Sequence, residues 1–271
     1  MLKVAVLGAS GRMGRAIVEC LAERDDVVLA GAVTEPGDAA LGTDAGEFAG
    51  VATSGVPLTD ERSQALNGAH VAIDFTLPAA LDANLTACVE QGTALVIGTT
   101  GLGDAQFAAL ERAAQEIPLV YARNMSVGVN VFMDLVTRAA AALGADYDVE
   151  IAEAHHRQKV DAPSGTALDL GERVAAVSGR SLDDLAVYER HGHTGTRVPG
   201  TIGFTVRRAG NIVGEHTVLF ASLEEHVELT HTALDRKTFA RGAVRAARWL
   251  AGQPPGLYSM RDVLGLDADV H

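Results

Sequence analysis

Between Glu153 and Thr166 the chain reads Glu-Ala-His-His-Arg-Gln-Lys-Val-Asp-Ala-Pro-Ser-Gly-Thr. His155 and His156 can titrate near neutral pH, and Lys159 brings a full positive charge. Ser164, Gly165 and Thr166 then open a helical pattern. A helix start offers free N–H groups and a partial positive charge to an anion. Residues of these types at this spacing suit one task, which is to hold a carboxylate and pass a proton to the molecule that bears it. Taken singly they have plainer readings: a surface histidine pair, a solvated lysine, a serine cap. Their clustering is what favours a site.

The elements around the cluster must aim it. Asp148-Val149-Glu150-Ile151 alternates polar and apolar, as a half-buried strand does. A strand over Tyr147 to Ala154 therefore feeds the cluster, and a helix over Leu168 to Val177 leaves it. A second constellation lies at the start of the chain. Lys3 to Gly8 is a continuous apolar run, as in a buried parallel strand. Gly8-Ala9-Ser10-Gly11-Arg12-Met13-Gly14 follows, then an amphipathic pattern to about Arg24. Strand, glycine turn and helix form the context of a dinucleotide loop, in which glycines admit the pyrophosphate to the helix start. The spacing is Gly-x-x-Gly-x-x-Gly, so the loop alone is a weak signal. Val27 to Val33 reads as the second strand, with Glu35 at its end, the expected place for an acid that grips a ribose hydroxyl.

Further strands are expected at Val71 to Phe75, Leu95 to Gly98 and Leu119 to Tyr121, with a helix beginning at Thr76 and Pro78. Short strands alternating with helices make residues 1–126 a Rossmann-type, doubly wound parallel sheet. Val129 to Leu143 reads as a long helix. Thr201 to Arg208, Ile212 to Ala221 and His226 to Thr232 read as consecutive strands, with Ala209-Gly210-Asn211 turning between the first two. Such a run implies a smaller α+β domain over residues 127–235 with a mixed, mostly antiparallel sheet. Thr238 to Leu250, with Ala243, Ala246, Ala247 and Leu250 on one side, returns to complete the first domain over about 236–271.

The central stretch, read as Glu-Ala-His-His-x-x-Lys-Val-Asp-Ala-Pro-Ser-Gly-Thr-Ala, resembles the signature of the 4-hydroxy-tetrahydrodipicolinate reductases of lysine synthesis, formerly called dihydrodipicolinate reductases. The likeness extends over nearly the whole chain. It includes Gly8 to Gly14, Ile73 to Thr76, Val96 to Gly101, Ser126 to Val131, Gly192 to Gly195, Val198 to Phe204, Gly214 to Thr217 and Met260 to Leu264. The resemblance implies hydride transfer from NADH or NADPH to a cyclic imine dicarboxylate, (2S,4S)-4-hydroxy-2,3,4,5-tetrahydrodipicolinate, with loss of water. It gives His155 and Lys159 the proton handling, with Lys159 the final donor. It makes His156 a substrate contact and Gly165 and Thr166 the carboxylate cradle. It assigns Gly98, Thr99 and Thr100, and Ala122, Arg123, Asn124 and Met125, to the nicotinamide and its ribose; Met125 stands where an aromatic residue is common. Many members carry an arginine beside the acid at the end of the second strand, where it favours a 2'-phosphate. Here that residue is Pro36, with Arg12 the remaining candidate, so NADH is expected to work at least as well as NADPH. The resemblance further implies a homotetramer built through the second-domain sheets.

Composition sets outer bounds. The 271 residues are 48% hydrophobic and 21% charged, enough for one large or two ordinary domains with real cores. A net charge of -13 argues against a nucleic-acid or anionic-membrane surface. No apolar run in the sequence reads as a membrane span. Met1-Leu2-Lys3 leads straight into a strand without a targeting pattern, so a cytoplasmic protein is expected. The histidines at 191, 193, 216, 226 and 231 show no metal-binding spacing, and no metal is expected. Cys20 and Cys88 sit in helical patterns, which argues against a dehydrogenase working through a thioester, since that needs a nucleophilic cysteine in its site. A homoserine-type dehydrogenase and a non-catalytic nucleotide sensor also compete. The sensor would lack the acid groups that His155 and Lys159 supply.

Overall fold

The computed structural model describes residues 1–266. Residues 267–271, which the sequence reading attaches to the first domain, lie outside them. The chain divides into two compact units. Met1–Val127 and the segment beginning at Lys237 form one; Gly128–Arg236 forms the other.

Along the chain come β1 (Leu2–Leu7), α1 (Arg12–Ala22), β2 (Val27–Val33), α2 (Ala45–Ala49), β3 (Leu58–Thr59), α3 (Arg62–Leu66), β4 (Val71–Asp74), α4 (Leu81–Gln91), β5 (Ala94–Ile97), α5 (Asp104–Ala113) and β6 (Pro118–Tyr121). Then follow α6 (Val127–Leu143), β7 (Asp148–His155), α7 (Gly165–Val177), α8 (Leu182–Leu185), β8 (Ala186–Val187), β9 (Ile202–Arg208), β10 (Gly214–Ala221) and β11 (His226–Ala233). The last elements are α9 (Lys237–Leu250), β12 (Gly256–Tyr258) and α10 (Met260–Leu264).

The first unit holds a seven-stranded sheet in the order β12-β6-β5-β4-β1-β2-β3, parallel throughout. Its strands read as unbroken apolar runs because both faces are covered. Val4, Val6, Ile73, Val96 and Val120 point to one core, with Ile17 and Leu21 of α1 and Ala243, Ala246, Ala247 and Leu250 of α9. Ala5, Leu7, Ala72, Leu95, Ile97 and Leu119 point to the other, with Leu81, Leu85 and Cys88 of α4 and Leu110 of α5. Each Val, Leu or Ile so buried contributes about 1.5–3 kcal/mol. Pro78 opens a single 3-10 turn ahead of α4, in the first-turn position where its missing N–H costs nothing.

The second unit holds a mixed five-stranded sheet in the order β11-β10-β7-β9-β8. The antiparallel ladders, β10 with β11 and β10 with β7, run over eight and seven residue pairs. The parallel ones, β7 with β9 and β8 with β9, run over seven and two. β9 and β10 are therefore not paired across their turn, as their succession in the sequence predicts; β7 lies between them. Residues Ala209–Asn211 instead arch over the end of β7, with Ala209 N–H donating to the His155 carbonyl (2.9 Å) and Arg157 N–H to the Gly210 carbonyl (3.3 Å). One face of this sheet carries Val149, Ile151, Ile202, Phe204, Val218 and Phe220 against α6 and α7.

The helical run Val127–Asp146 departs from the sequence reading. It spans 20 residues at a hydropathy of 1.3, long and apolar enough to cross a membrane. It also carries the Asp134–Arg138 ion pair (2.8 Å) and sends Phe132, Met133, Val136 and Ala140 into the core of the second unit.

Candidate active site

In the first unit the glycine turn is pinned to the end of β2, because Gly8 and Ala9 N–H both donate to the Val33 carbonyl (2.9 and 2.7 Å). Gly8 has φ +80°, a left-handed conformation that favours glycine. A Cβ on Gly14 would lie 2.1 Å from the Gly8 carbonyl oxygen and 2.6 Å from Ala9 Cα, so α1 can sit this close to β1 only with glycine there. Beside the turn opens a cleft of about 470 Å³. It lies outside the carboxyl ends of β1, β2 and β4, at the switch point where the chain leaves β1 for β2 on one side and later for β4 on the other. A dinucleotide fits this arrangement: Gly8 and Gly11 present bare backbone to the cleft, α1 starts beside it, and an acid stands at the end of β2.

Of the residues predicted for the cofactor, Gly8, Ser10, Gly11 and Glu35 line the cleft. Arg12 is exposed but does not line it, and Ala9 is buried beneath the turn. Met13 packs against the core. The other two predicted loops leave β5 and β6 at the same carboxyl end of the sheet, with some of their side chains turned inward and others exposed. Gly98 abuts the Phe75 ring. Thr99 is buried, and its hydroxyl donates to Asp74 Oδ1 (3.2 Å); Thr100 is exposed. Ala122 N–H continues the ladder to the Ile97 carbonyl, and Arg123 is exposed. Asn124 Oδ1 accepts from Ser126 N–H (2.9 Å), and the Met125 side chain lies in the core. These loops can therefore meet a ligand through backbone groups and through the exposed Thr100 and Arg123 side chains.

Three residues that sequence reading passed over tie the cleft together. Asp74, fully buried, accepts from Thr76 N–H (2.8 Å), the Thr76 hydroxyl (2.6 Å) and Asn84 Nδ2 (3.0 Å). Arg62 Nε in turn donates to Asn84 Oδ1 (2.7 Å). The signal for Asp74 was present: an acid closing an otherwise apolar strand.

In the second unit the predicted cluster rests on Glu153, which is 1% exposed. Its carboxylate accepts two N–H groups of Arg208 (both 2.7 Å), Ser164 N–H (3.0 Å) and His155 Nδ1 (2.6 Å). Burial alone would raise the Glu153 pKa, but the hydrogen bonds from Arg208 and His155 outweigh it and hold the carboxyl below its usual range. An ionised carboxylate only accepts, so His155 must donate from Nδ1. Its Nε2 points past Gly214, where a Cβ would come within 3.2 Å of it. Burial pushes the His155 imidazole below its ordinary range; Glu153 pulls the other way, and the Lys159 and Arg208 charges add to the effect of burial.

Lys159 Nζ pairs with Asp161 (2.8 Å). His156 is half-buried, and its Nδ1 is buried without a hydrogen-bond partner among the described residues. Ser164 caps α7 by accepting from Ala167 N–H (3.2 Å). Gly165 and Thr166 occupy the first helical positions, whose N–H groups no helical carbonyl can reach. His216, 4% exposed, lies opposite Glu153 in the β7–β10 ladder and shares a hydrogen bond with the Ser164 hydroxyl (3.0 Å). Burial, with the His155 charge next, lowers its pKa to about 4, so it is neutral near pH 7. Glu153, Arg208 and His216 were not assigned roles from the sequence. Glu153 and His216 were detectable by strand parity, since they share the buried face with Ile151 and Val218. Arg208 carried no local signal.

The two cysteines are free and buried, and burial pushes the Cys88 thiol up to about 12 and raises that of Cys20. Neither has the environment of a nucleophile.

Solved structures share this architecture. Dihydrodipicolinate reductase from Paenisporosarcina sp. TG-14, solved with dipicolinate, matches at a TM-score of 0.76 and 23% identity over 96% of this chain and 97% of that one. An amine dehydrogenase from Mycobacterium smegmatis matches at 0.63 and 14% identity over 96% and 95%. A parallel sheet with a glycine turn in one unit and a mixed sheet in the other is the fold shared with these two-unit reductases and dehydrogenases. Models of the N-terminus and C-terminus of dihydrodipicolinate reductase match residues 2–125 and 128–264. Proteins named 4-hydroxy-tetrahydrodipicolinate reductase are 58% identical in Alkalilimnicola ehrlichii (97% of this chain, 99% of the relative) and 55% identical in Thiobacillus denitrificans (98% and 99%). The chain belongs to the dihydrodipicolinate reductase family.

Proposed function

We propose that the chain is a 4-hydroxy-tetrahydrodipicolinate reductase. It converts (2S,4S)-4-hydroxy-2,3,4,5-tetrahydrodipicolinate, one reduced nicotinamide dinucleotide and one proton to (S)-2,3,4,5-tetrahydrodipicolinate, the oxidised dinucleotide and water. The first unit holds the cofactor, completed by the segment from about residue 236; the second holds the substrate and joins copies of the chain into a homotetramer in the cytoplasm. The observation that carries this reading is the buried Glu153 carboxylate, which fixes His155, Arg208 and the start of α7 in one rigid group beside Lys159.

When bound, the reduced nicotinamide supplies the hydride. The glycine turn admits the pyrophosphate to the start of α1, where the N–H groups of Ser10, Arg12 and Met13 are left to receive it, those of Gly8, Ala9 and Gly11 being spent on the Val33 and Gly8 carbonyls, and Glu35 accepts from the ribose hydroxyls. The loops at 98–100 and 122–125 support the nicotinamide end with backbone groups and the exposed Thr100 and Arg123, since the Thr99 and Met125 side chains are engaged elsewhere. Gly165 and Thr166 take one substrate carboxylate on the α7 N-terminus; His156, half-buried, contacts the substrate. Reduction of the conjugated imine builds electron density that a proton must quench. Lys159 delivers it, because the depressed His155 imidazole is mostly neutral at neutral pH. His155, oriented by Glu153, returns the proton to Lys159 from solvent. A placed acid of this kind contributes about a hundred- to ten-thousandfold.

The test is to follow oxidation of NADH and of NADPH with freshly prepared substrate. Substrate-dependent oxidation of either is expected, with NADH at least as effective. Cofactor binding without oxidation would point to a nucleotide sensor.

A further inference from the structure

The cleft beside the glycine turn contains a cation that the sequence did not suggest. Arg62, the first residue of α3, lines it together with Glu35 and Pro36. Its Nε is fixed on Asn84 Oδ1 (2.7 Å), and Asn84, 1% exposed, is fixed on Asp74 (3.0 Å). The guanidinium is thus anchored by one nitrogen on a buried polar chain. Its two terminal amino groups have neither a hydrogen-bond partner nor an ion pair among the described residues. A pre-aimed guanidinium fork with free N–H groups matches the oxygens of a phosphate monoester. At the end of β2, Glu35 favours a free ribose hydroxyl and repels a dianion, while Pro36 has no side-chain donor. Arg12 does not line the cleft.

We propose that Arg62 is the specificity-determining residue for the 2'-phosphate of NADPH, so that this one cleft accepts both dinucleotides, with Glu35 serving NADH and Arg62 serving NADPH. This rests on the reading of the cleft as the dinucleotide site. An arginine in α3 replaces the cation that Pro36 cannot supply from β2.

The experiment is a calorimetric titration of the full-length chain, as the wild type and as Arg62→Ala and Arg62→Lys, with NADH, NADPH, 5'-ADP and 2',5'-ADP. Loss of one charge-assisted phosphate contact is expected to lower the NADPH-to-NADH affinity ratio about tenfold in Arg62→Ala. The 2',5'-ADP-to-5'-ADP ratio should fall in parallel, with partial recovery in Arg62→Lys. The salt dependence of NADPH binding should weaken in Arg62→Ala. If the affinities for both dinucleotides drop together, Arg62 only braces Asn84 and the proposal is wrong; unchanged ratios overturn it as well. A wild type that binds none of the four overturns the dinucleotide reading itself, a result distinct from either.

Discussion

Glu153 keeps its charge at 1% exposure because every lone pair it turns inward meets a donor, two of them from one guanidinium. Removing one partner of such a buried pair leaves the other charge stranded, at a cost of about 3–5 kcal/mol. Glu153→Gln should therefore lower the unfolding free energy by an amount in that range, read from urea melts. It should also lower kcat, since His155 loses the charged, acceptor-only group that sets its tautomer. Glu153 raises the His155 pKa against burial, so the variant's imidazole should titrate at lower pH than in the wild type, visible by NMR of the histidine ring. An unchanged titration would show that the carboxylate does not govern His155.

The strands and helices give these residues their context. His216 is buried on β10 with a pKa of about 4, against about 6.5 in an unfolded chain. Its folded pKa is depressed, so the unfolded chain binds the proton more readily. The contribution is fully present above pH 6.5 and is lost as pH falls from there towards 4. The linkage amounts to about 2 kcal/mol at pH 5 relative to pH 8. Glu153, also depressed, adds a further loss below the ordinary range of a glutamate. Chemical denaturation at the two pH values should show this gap, and His216→Asn should narrow it. In the first unit, Gly14→Ala places a methyl 2.1 Å from the Gly8 carbonyl. Overpacking of that kind costs about 1–3 kcal/mol, and the displaced turn should lose NADH binding; an unaltered dinucleotide affinity would contradict the role given to the turn.

Much of this was readable in the residues. The apolar run into Gly8, the alanine stripe of α9 and the Ser164 cap are local patterns, and local patterns survive into structure. The pairing of β7 between β9 and β10 was not readable, because a ladder is chosen by burial across the sheet and not by succession along the chain. The Glu153–Arg208 pair spans two strands and was hidden for the same reason. Thr99 and Met125 show the converse: positions that the resemblance assigns to the nicotinamide turn their side chains to the interior.

For the molecule as a whole, the sheet of the second unit turns one face to α6 and α7. The opposite face carries Glu150, Thr217 and Leu219 on β7 and β10, and Leu219 lies between Glu150 and Glu228 on the neighbouring strands. In the proposed homotetramer this face meets other copies. Light scattering should give a mass near four chains, and Leu219→Glu should shift it downward by placing a third acid beside two others; a monomeric wild type would contradict the assembly. With a net charge of -13, copies repel at low salt, so dissociation by this variant should be greatest there.

The most direct measurement is Lys159→Ala assayed in parallel for NADH binding and for substrate-dependent NADH oxidation. The expected result is an NADH affinity within about twofold of wild type and a kcat lower by about a hundredfold or more, the share a placed acid supplies. Turnover within a few-fold of wild type, with cofactor bound normally, would contradict the assignment of Lys159 as the proton donor.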